Sequence, residues 1–269
     1  MNPSVALMTS NPRLVEPFLR DSGSRLRSLG IRIPLVIWVR PSMRLLDRAR
    51  DLRTAIRRQA AINRISPGAQ IVHHFAFRWL GRAPEKMPLA PSIRVLRQGR
   101  AVIEARSGND PGAIVSLRNS DCAMCVIVGG DVLSRETLDA VGLPLLNVHL
   151  GDPTFVRGQP PVFWEILDKR ESIALTLHEV TPRLDAGAVL LQRDSPILWG
   201  PTLGDTMLRT RQRASEEIAS LLMDGITQVL EGCQRPRPIE PGPLRTTPTI
   251  WEAFEAGRIC RERFVRTRC

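Results

Sequence analysis

Short runs of apolar, β-branched residues alternate along this chain with segments whose apolar positions recur at helical spacing. Strand-like runs stand at Val5–Thr9, Pro34–Val39, Ser92–Leu96, Met124–Val128, Leu145–Val148, Ile173–His178 and Ala188–Leu191. Between them, Leu14, Phe18 and Leu26 mark a first helix, and Leu46, Ala49, Leu52 and Ile56 mark a second inside the basic stretch 43–65. Asn109-Asp110-Pro111 reads as a helix start, because either Asn109 or Asp110 can cap and proline fits the first turn. Ser134 caps a further helix that stops near Gly142. Strands separated by helices predict an α/β fold with a doubly wound, mostly parallel sheet.

The last third is organised differently. Thr202 to Glu231 predicts one long helix, with Leu208, Ala214, Ile218, Leu221, Leu222 and Ile226 on its apolar stripe. Gly232 ends it, and a proline-rich linker, Arg235–Pro243, follows. A short helix over Ile250–Phe264 carries Trp251, Phe254 and Phe264, enough to dock but too little to fold alone. The expected organisation is therefore a catalytic domain over 1–232 and a linker with a helical tail over 233–269. Residues 43–90 read as an insertion or lid within the first part.

Composition narrows the function classes. No apolar run reaches the roughly 18–20 residues that span a bilayer, and the first residues lack the marks of a secretion signal. A cytoplasmic protein with no membrane partner is the expectation. Cys122 and Cys125 form a lone C-x-x-C inside an apolar run, without the further ligands that zinc needs. They read as core cysteines. His73 and His74 likewise lack partner ligands, so no metal site is expected. The net charge is +11, and Lys86 and Lys169 are the only lysines, so the excess is arginine. Such a balance could attract nucleic acid, an anionic nucleotide-linked substrate or polyglutamylated folate, but the basic residues are spread out and a solvated, arginine-rich surface is the favoured reading. Nucleic acid is disfavoured, because tyrosine is absent and no basic stripe is interleaved with aromatic rings. A homodimer is compatible with the sequence.

In doubly wound sheets, ligands bind beyond the carboxyl ends of the strands. Two strands here end in polar residues. Asn147 and His149 lie two apart, so on an extended strand end they share a face. His178 ends another strand, whose loop leads to Asp185 and Gly187. An amide donor, an imidazole and a carboxylate suit acyl transfer. The first two stabilise a developing oxyanion, and the carboxylate takes a proton from an attacking amine. No G-x-S-x-G elbow is present, which argues against a covalent serine mechanism. Spacing alone fits a second account equally well: Asn147 as a strand-end cap, His149 as a satisfied loop histidine, Asp185 as a turn former.

The pattern Asn147-x-His149, then Arg157 and Gly158, then His178 seven residues before Asp185 with Gly187 beyond it, resembles the signature of the folate-dependent formyltransferases. The resemblance is clearest over 90–232. It implies a Rossmann-like formyltransferase fold, with 10-formyltetrahydrofolate as formyl donor and Asn147, His149 and Asp185 as catalytic residues. It also implies a folate pocket at the turn Gly130, Asp131 and Leu133 and at the loop Val180, Thr181, Pro182 and Leu184. Gly151, Arg157, Gly158 and His178 would contact substrate. The chain departs from the family at Leu150–Thr154, where P-S-L-L-P is usual and Gly151 stands at the serine. Pro182 and Arg183 are unusual in the folate loop.

Among family members, those of the purine pathway carry a glycine-rich phosphate loop after the first strand. Here that position is Thr9–Arg13, with no glycine and with Pro12 lacking a donor. Initiator-tRNA formyltransferases carry a β-barrel after the catalytic domain, for which the 37 residues beyond Gly232 are too few. The acceptor expected by elimination is the amine of a small molecule, first a nucleotide-linked amino sugar. The rival expectations are a catalytically silent folate- or partner-binding member, and a methionyl-tRNA formyltransferase-like enzyme without the barrel.

Overall fold

The computed structural model describes residues 3–21, 23–40, 45–81, 90–233 and 235–267. The first half runs β1 (Val5–Thr9), α1 (Pro12–Asp21), α2 (Gly23–Ser28), β2 (Leu35–Val39), α3 (Leu45–Asn63), α4 (Pro67–Leu80), α5 (Ala90–Arg97), β3 (Ala101–Ala105), α6 (Pro111–Arg118) and β4 (Met124–Val128). The second runs α7 (Arg135–Val141), β5 (Leu145–Leu150), β6 (Arg157–Gly158), α8 (Phe163–Leu167), β7 (Ser172–Glu179), β8 (Val189–Pro196), α9 (Leu203–Leu230), β9 (Leu244–Arg245) and α10 (Ile250–Arg266).

Seven strands form one sheet in the order β3-β2-β1-β4-β5-β7-β8. The first five are parallel, while β7 and β8 run antiparallel. All five residues of each of β1, β2 and β4 are buried, as befits parallel strands covered by helices on both faces. This is the doubly wound, mostly parallel sheet that the alternation of strands and helices predicts. Its order reverses between β1 and β4, which opens a crevice at their carboxyl ends. There the Ser10 N–H donates to the Gly129 carbonyl, tying the two turns together.

Local helix signals act as expected. Asp110 caps α6 ahead of Pro111, and Ser134 caps α7, which closes on Gly142 in the left-handed conformation. Three expectations need correction. Ser92–Leu96 is helical within α5, not a strand, and the edge strand is β3. Leu96 is fully buried and Ile93 packs on the same core, three residues away on one helix face. Ser92 Oγ donates to Glu16 Oε2 of α1 at 2.5 Å. The β-branched content of this segment hid a helical spacing.

The first helix is divided into α1 and α2. At the C-terminus, α10 docks through the small and aliphatic residues Ala253, Ala256, Ile259 and Cys260, whereas Trp251 and Phe254 are exposed. Within the stretch 43–90, α3 and α4 pack on each other, and α4 also meets α10. The described part of α3 buries Ile56 and Ala60, while Ala49 and Leu52 are exposed. Cys125 is buried in β4, and burial pushes its thiol up. Cys122 is half-buried. Among the described residues, no helix is long and apolar enough to cross a membrane.

Candidate active site

The pairing of β5 with β7 builds the centre of the site. Asn147 lies directly across from His178, and His149 across from Thr176, so these four share one face. Because β7 is antiparallel, His178 reaches this place from the opposite direction to Asn147. His178 is 2% exposed. Its Nδ1–H donates to the Glu179 carbonyl at 2.8 Å, since a carbonyl can only accept. The neutral ring then offers an unprotonated Nε2, 3.1 Å from Asn147 Nδ2. Burial holds His178 below its ordinary value of 6.5 and keeps this neutral form. The ring therefore orients the Asn147 amide, takes one of its N–H groups, and leaves the other to the cavity that Asn147 lines.

Asp185 arrives from the β7–β8 loop. Its Oδ2 lies 3.5 Å from His149 Nδ1 and accepts from the Gly158 N–H at 3.3 Å. Its Oδ1 lies 3.7 Å from His178 Nε2. The residue is 8% exposed and has φ +47, the left-handed region that side chains seldom adopt. The loop is fixed from the side by Arg157, whose guanidinium donates to the Leu184 carbonyl at 2.8 Å and to the Gly242 carbonyl at 2.7 Å. Arg157 is buried and does not line the cavity. It joins the Asp185 loop to the segment running into β9, which pairs with β6.

Asn147, His149 and Asp185 open onto a cavity of about 650 Å³. Gly130, Asp131 and Leu133 form one wall, while Val180, Thr181 and Leu184 form another. Gly158 and His178 also line it, whereas Pro182 and Gly151 do not. Asp131 is held in place by the Gly108 N–H, which donates to its Oδ2 at 3.2 Å. Among the described residues, no cluster of three or more histidine, cysteine or acidic side chains could hold a metal ion.

No family model matches the chain. Curated relatives include the methionyl-tRNA formyltransferases of Herpetosiphon aurantiacus, 26% identical over 136 residues, and of Roseiflexus castenholzii, 30% identical over 115 residues. These matches cover 49% and 42% of this chain and 44% and 37% of the relatives. The chain thus spans less than half the length of the curated relatives it matches. Solved structures with the same fold include a sugar N-formyltransferase from Shewanella sp FDAARGOS_354, with a TM-score of 0.53 and 14% identity over 91% of this chain and 77% of that one. Glycinamide ribonucleotide transformylase 1 from Symbiobacterium toebii gives a TM-score of 0.52 and 18% identity over 90% and 92%. In sequence and in fold the chain is thus similar to formyltransferases.

The formyltransferase motif glycines have physical causes here. At Gly187, a Cβ would lie 1.9 Å from the Glu179 carbonyl oxygen, so any side chain would force the β7–β8 loop open. Gly158 has φ +101, and a Cβ there would lie 2.2 Å from the Arg245 carbonyl oxygen in β9. Where the family usually has serine, a Cβ on Gly151 would stand 2.9 Å from His149 Nε2 and 3.2 Å from Glu165 Oε1.

That second contact leads to a residue that the sequence reading passed over. Glu165 of α8 is 3% exposed, its Oε2 has no hydrogen-bond partner, and burial pushes its carboxyl up to about 7. Its position between Trp164 and Ile166 in an apolar run was the available signal. The cavity face of α9 was missed as well. Leu208, Arg211, Gln212 and Ser215 line the cavity at i, i+3, i+4 and i+7, a polar row beside the apolar stripe. Ser10 and Asn11, beyond β1, line it too.

Proposed function

We propose that this protein transfers the formyl group of 10-formyltetrahydrofolate to the amine of a small-molecule acceptor. The observation that carries this reading is the convergence of Asn147 and His149 from β5 with Asp185 from the β7–β8 loop, within 3.7 Å of one another or of His178 on β7, at one cavity. The cavity lies within the roughly 300–1,000 Å³ range typical of ligand sites. The turn Gly130–Leu133 and the loop Val180–Leu184 would hold the pterin, the loop largely through main-chain groups. The bound folate supplies the formyl carbon.

The chain's own groups divide the remaining work. The free Asn147 N–H and a protonated His149 face the oxygen that gains charge as the amine adds. Asp185 orients His149 through Nδ1 and takes the amine's proton; a proton is returned to N10 as the bond from the formyl carbon to N10 breaks and tetrahydrofolate leaves. His178 stays neutral and fixes the Asn147 amide.

Among acceptors, a nucleotide-linked amino sugar is the first choice, in keeping with the arginine excess. A second reading is supported by the names of the curated relatives: an initiator methionyl-tRNA acceptor. Calorimetric titration with a stable 10-formyltetrahydrofolate analogue, beside Asn147→Ala, tests the donor site. Formyl transfer to a nucleotide-linked amino sugar and to methionyl-tRNA, run in parallel, separates the acceptors. Asp185→Asn should lower transfer by roughly 10²–10⁴-fold while leaving analogue binding in place. A folded wild-type chain that does not bind the analogue defeats the reading. Turnover unchanged in Asp185→Asn removes the role given to that carboxylate.

A further inference from the structure

The catalytic groups leave one wall of the cavity unused, and that wall carries a charge without a partner. Arg211 projects from α9 on the helix face that lines the cavity, one turn beyond Leu208 and one turn before Ser215. A guanidinium has five N–H donors. One is spent on the Pro161 carbonyl, accepting at 3.0 Å from Nη2, while Nε is buried with no hydrogen-bond partner. Two neighbouring arginines are paired: Arg213 with Glu216 and Glu217, and Arg193 with Asp224. Among the described residues, no carboxylate pairs with Arg211. Burial alone acts on it and holds it below the usual arginine value. A cation whose Nε–H is cut off from water without a partner, on a side chain that lines a cavity, is costly to the fold unless an anion is supplied from outside.

From this geometry we infer that Arg211 anchors an oxyanion, a phosphate or carboxylate carried by the ligand, at the α9 side of the cavity. Gln212 and Ser215 on the same helix face, and Ser10, which also lines the cavity, supply further polar groups. Planar N–H pairs that match phosphate or carboxylate oxygens make arginine the residue suited to this contact. The inference rests on the formyltransferase reading of the cavity and adds the chemical class that its open end takes. Two sources share this chemistry: a phosphate on the amine acceptor and the glutamate carboxylate of the folate.

The experiment uses the whole chain and two variants, Arg211→Met and Arg211→Lys. Inorganic phosphate is titrated in the presence of saturating tetrahydrofolate. Tetrahydrofolate is then compared with tetrahydropteroate, which lacks the glutamate. Weakening of phosphate binding by roughly ten- to a hundred-fold in Arg211→Met, with tetrahydrofolate affinity unchanged, places the anion on the acceptor. Weakened tetrahydrofolate binding with unaltered tetrahydropteroate binding places it on the donor's tail. Either result supports the anchor, and no change in any of these titrations overturns it.

Urea unfolding of the same variants supplies a readout that a structural role would move the other way. An anchor predicts Arg211→Met at least as stable as the wild type, because an unpaired buried charge is removed. A marked loss of stability would assign Arg211 to holding the Pro161 carbonyl instead. Failure of tetrahydrofolate to bind the wild type defeats the formyltransferase reading separately, since phosphate binding can still be measured without it.

Discussion

Replacing Glu165 by glutamine should make the protein more stable, by an amount that depends on pH. In the unfolded chain the carboxyl ionises near 4.5, and in the fold near about 7. Desolvation is the largest cause; the nearby Asp152 and Asp168 raise it further, while its own backbone N–H and Arg170 pull the other way. Below pH 4.5 the group is protonated in both states and contributes nothing. Between 4.5 and 7 the folded state keeps a proton that the unfolded state has lost, so stability falls as pH rises. Above 7 the carboxylate is charged in both states, and the fold carries the whole penalty. A difference of about 2.5 pH units corresponds to about 3 kcal/mol. Glutamine has no such titration and nearly the same shape. Urea unfolding of wild type and Glu165→Gln at pH 4, 6 and 8 should therefore give matching stabilities at pH 4, and a gain of about 3 kcal/mol for the variant at pH 8. In thermal unfolding that gain is roughly 6–12 °C. A stability difference that is the same at all three pH values would refute the reasoning, because it would show that no ionisation is involved.

Gly187→Ala should be among the most damaging substitutions, since its Cβ would lie 1.9 Å from the Glu179 carbonyl oxygen. A loss of about 3 kcal/mol or more is expected in urea unfolding, and an unaffected midpoint would mean the loop yields freely. Arg157→Ala strands the Leu184 and Gly242 carbonyls and should cost about 2–4 kcal/mol. It should also weaken formyl transfer through the displaced Asp185 loop, measured as kcat against retained folding. His178 is held below its ordinary 6.5, so protonating it opposes folding. Wild type should lose stability relative to His178→Gln as pH falls below 6.5 and match its pH dependence above; parallel pH profiles for the two would contradict a neutral buried ring.

Much of this was legible because it is local. β1 and β4 run over the residues that their apolar runs mark, and Asp110, Ser134 and Gly142 cap where their chemistry permits. Strand periodicity put Asn147 and His149 on one face but left a purely structural account equally open, and it was the resemblance to the formyltransferases that singled out Asn147, His149 and Asp185. What depended on partners was not legible. Ser92–Leu96 becomes helical by packing Leu96 beneath α1, a contact no window of sequence contains. Trp251 and Phe254 are the largest apolar side chains of the early α10, yet the docked face is that of Ala253 and Ala256, where close helix approach favours small residues. The apolar run around Glu165 hints at its burial, but nothing local shows that its carboxylate and His149 both border Gly151. The polar row of α9 was obscured by the stronger apolar stripe alongside it.

The direction of β7 matters more to the site than the rule that ligands gather at the carboxyl ends of parallel strands. The sequence reading invoked that rule for both polar strand ends, but it applies to β5 alone. A parallel β7 would carry its last residue to the same end as Leu150, and its loop would leave the sheet there. Running antiparallel, β7 brings His178 back beside Asn147 in mid-strand, and a register shift between Leu177 and His178 sets the side chains that follow. The chain then turns into β8 through residues 180–188, a loop closed by the Glu179 N–H donating to the Ala188 carbonyl. That loop hangs over the face shared by Asn147 and His149. Asp185 in the left-handed region and Gly187 against Glu179 are the conditions for making it there. The carboxylate is therefore placed by a hairpin whose register is fixed by the sheet, and Arg157 holds that hairpin from outside. This arrangement explains why the motif joins residues 147, 157 and 185: one lies on the strand, one braces the turn, and one is the turn.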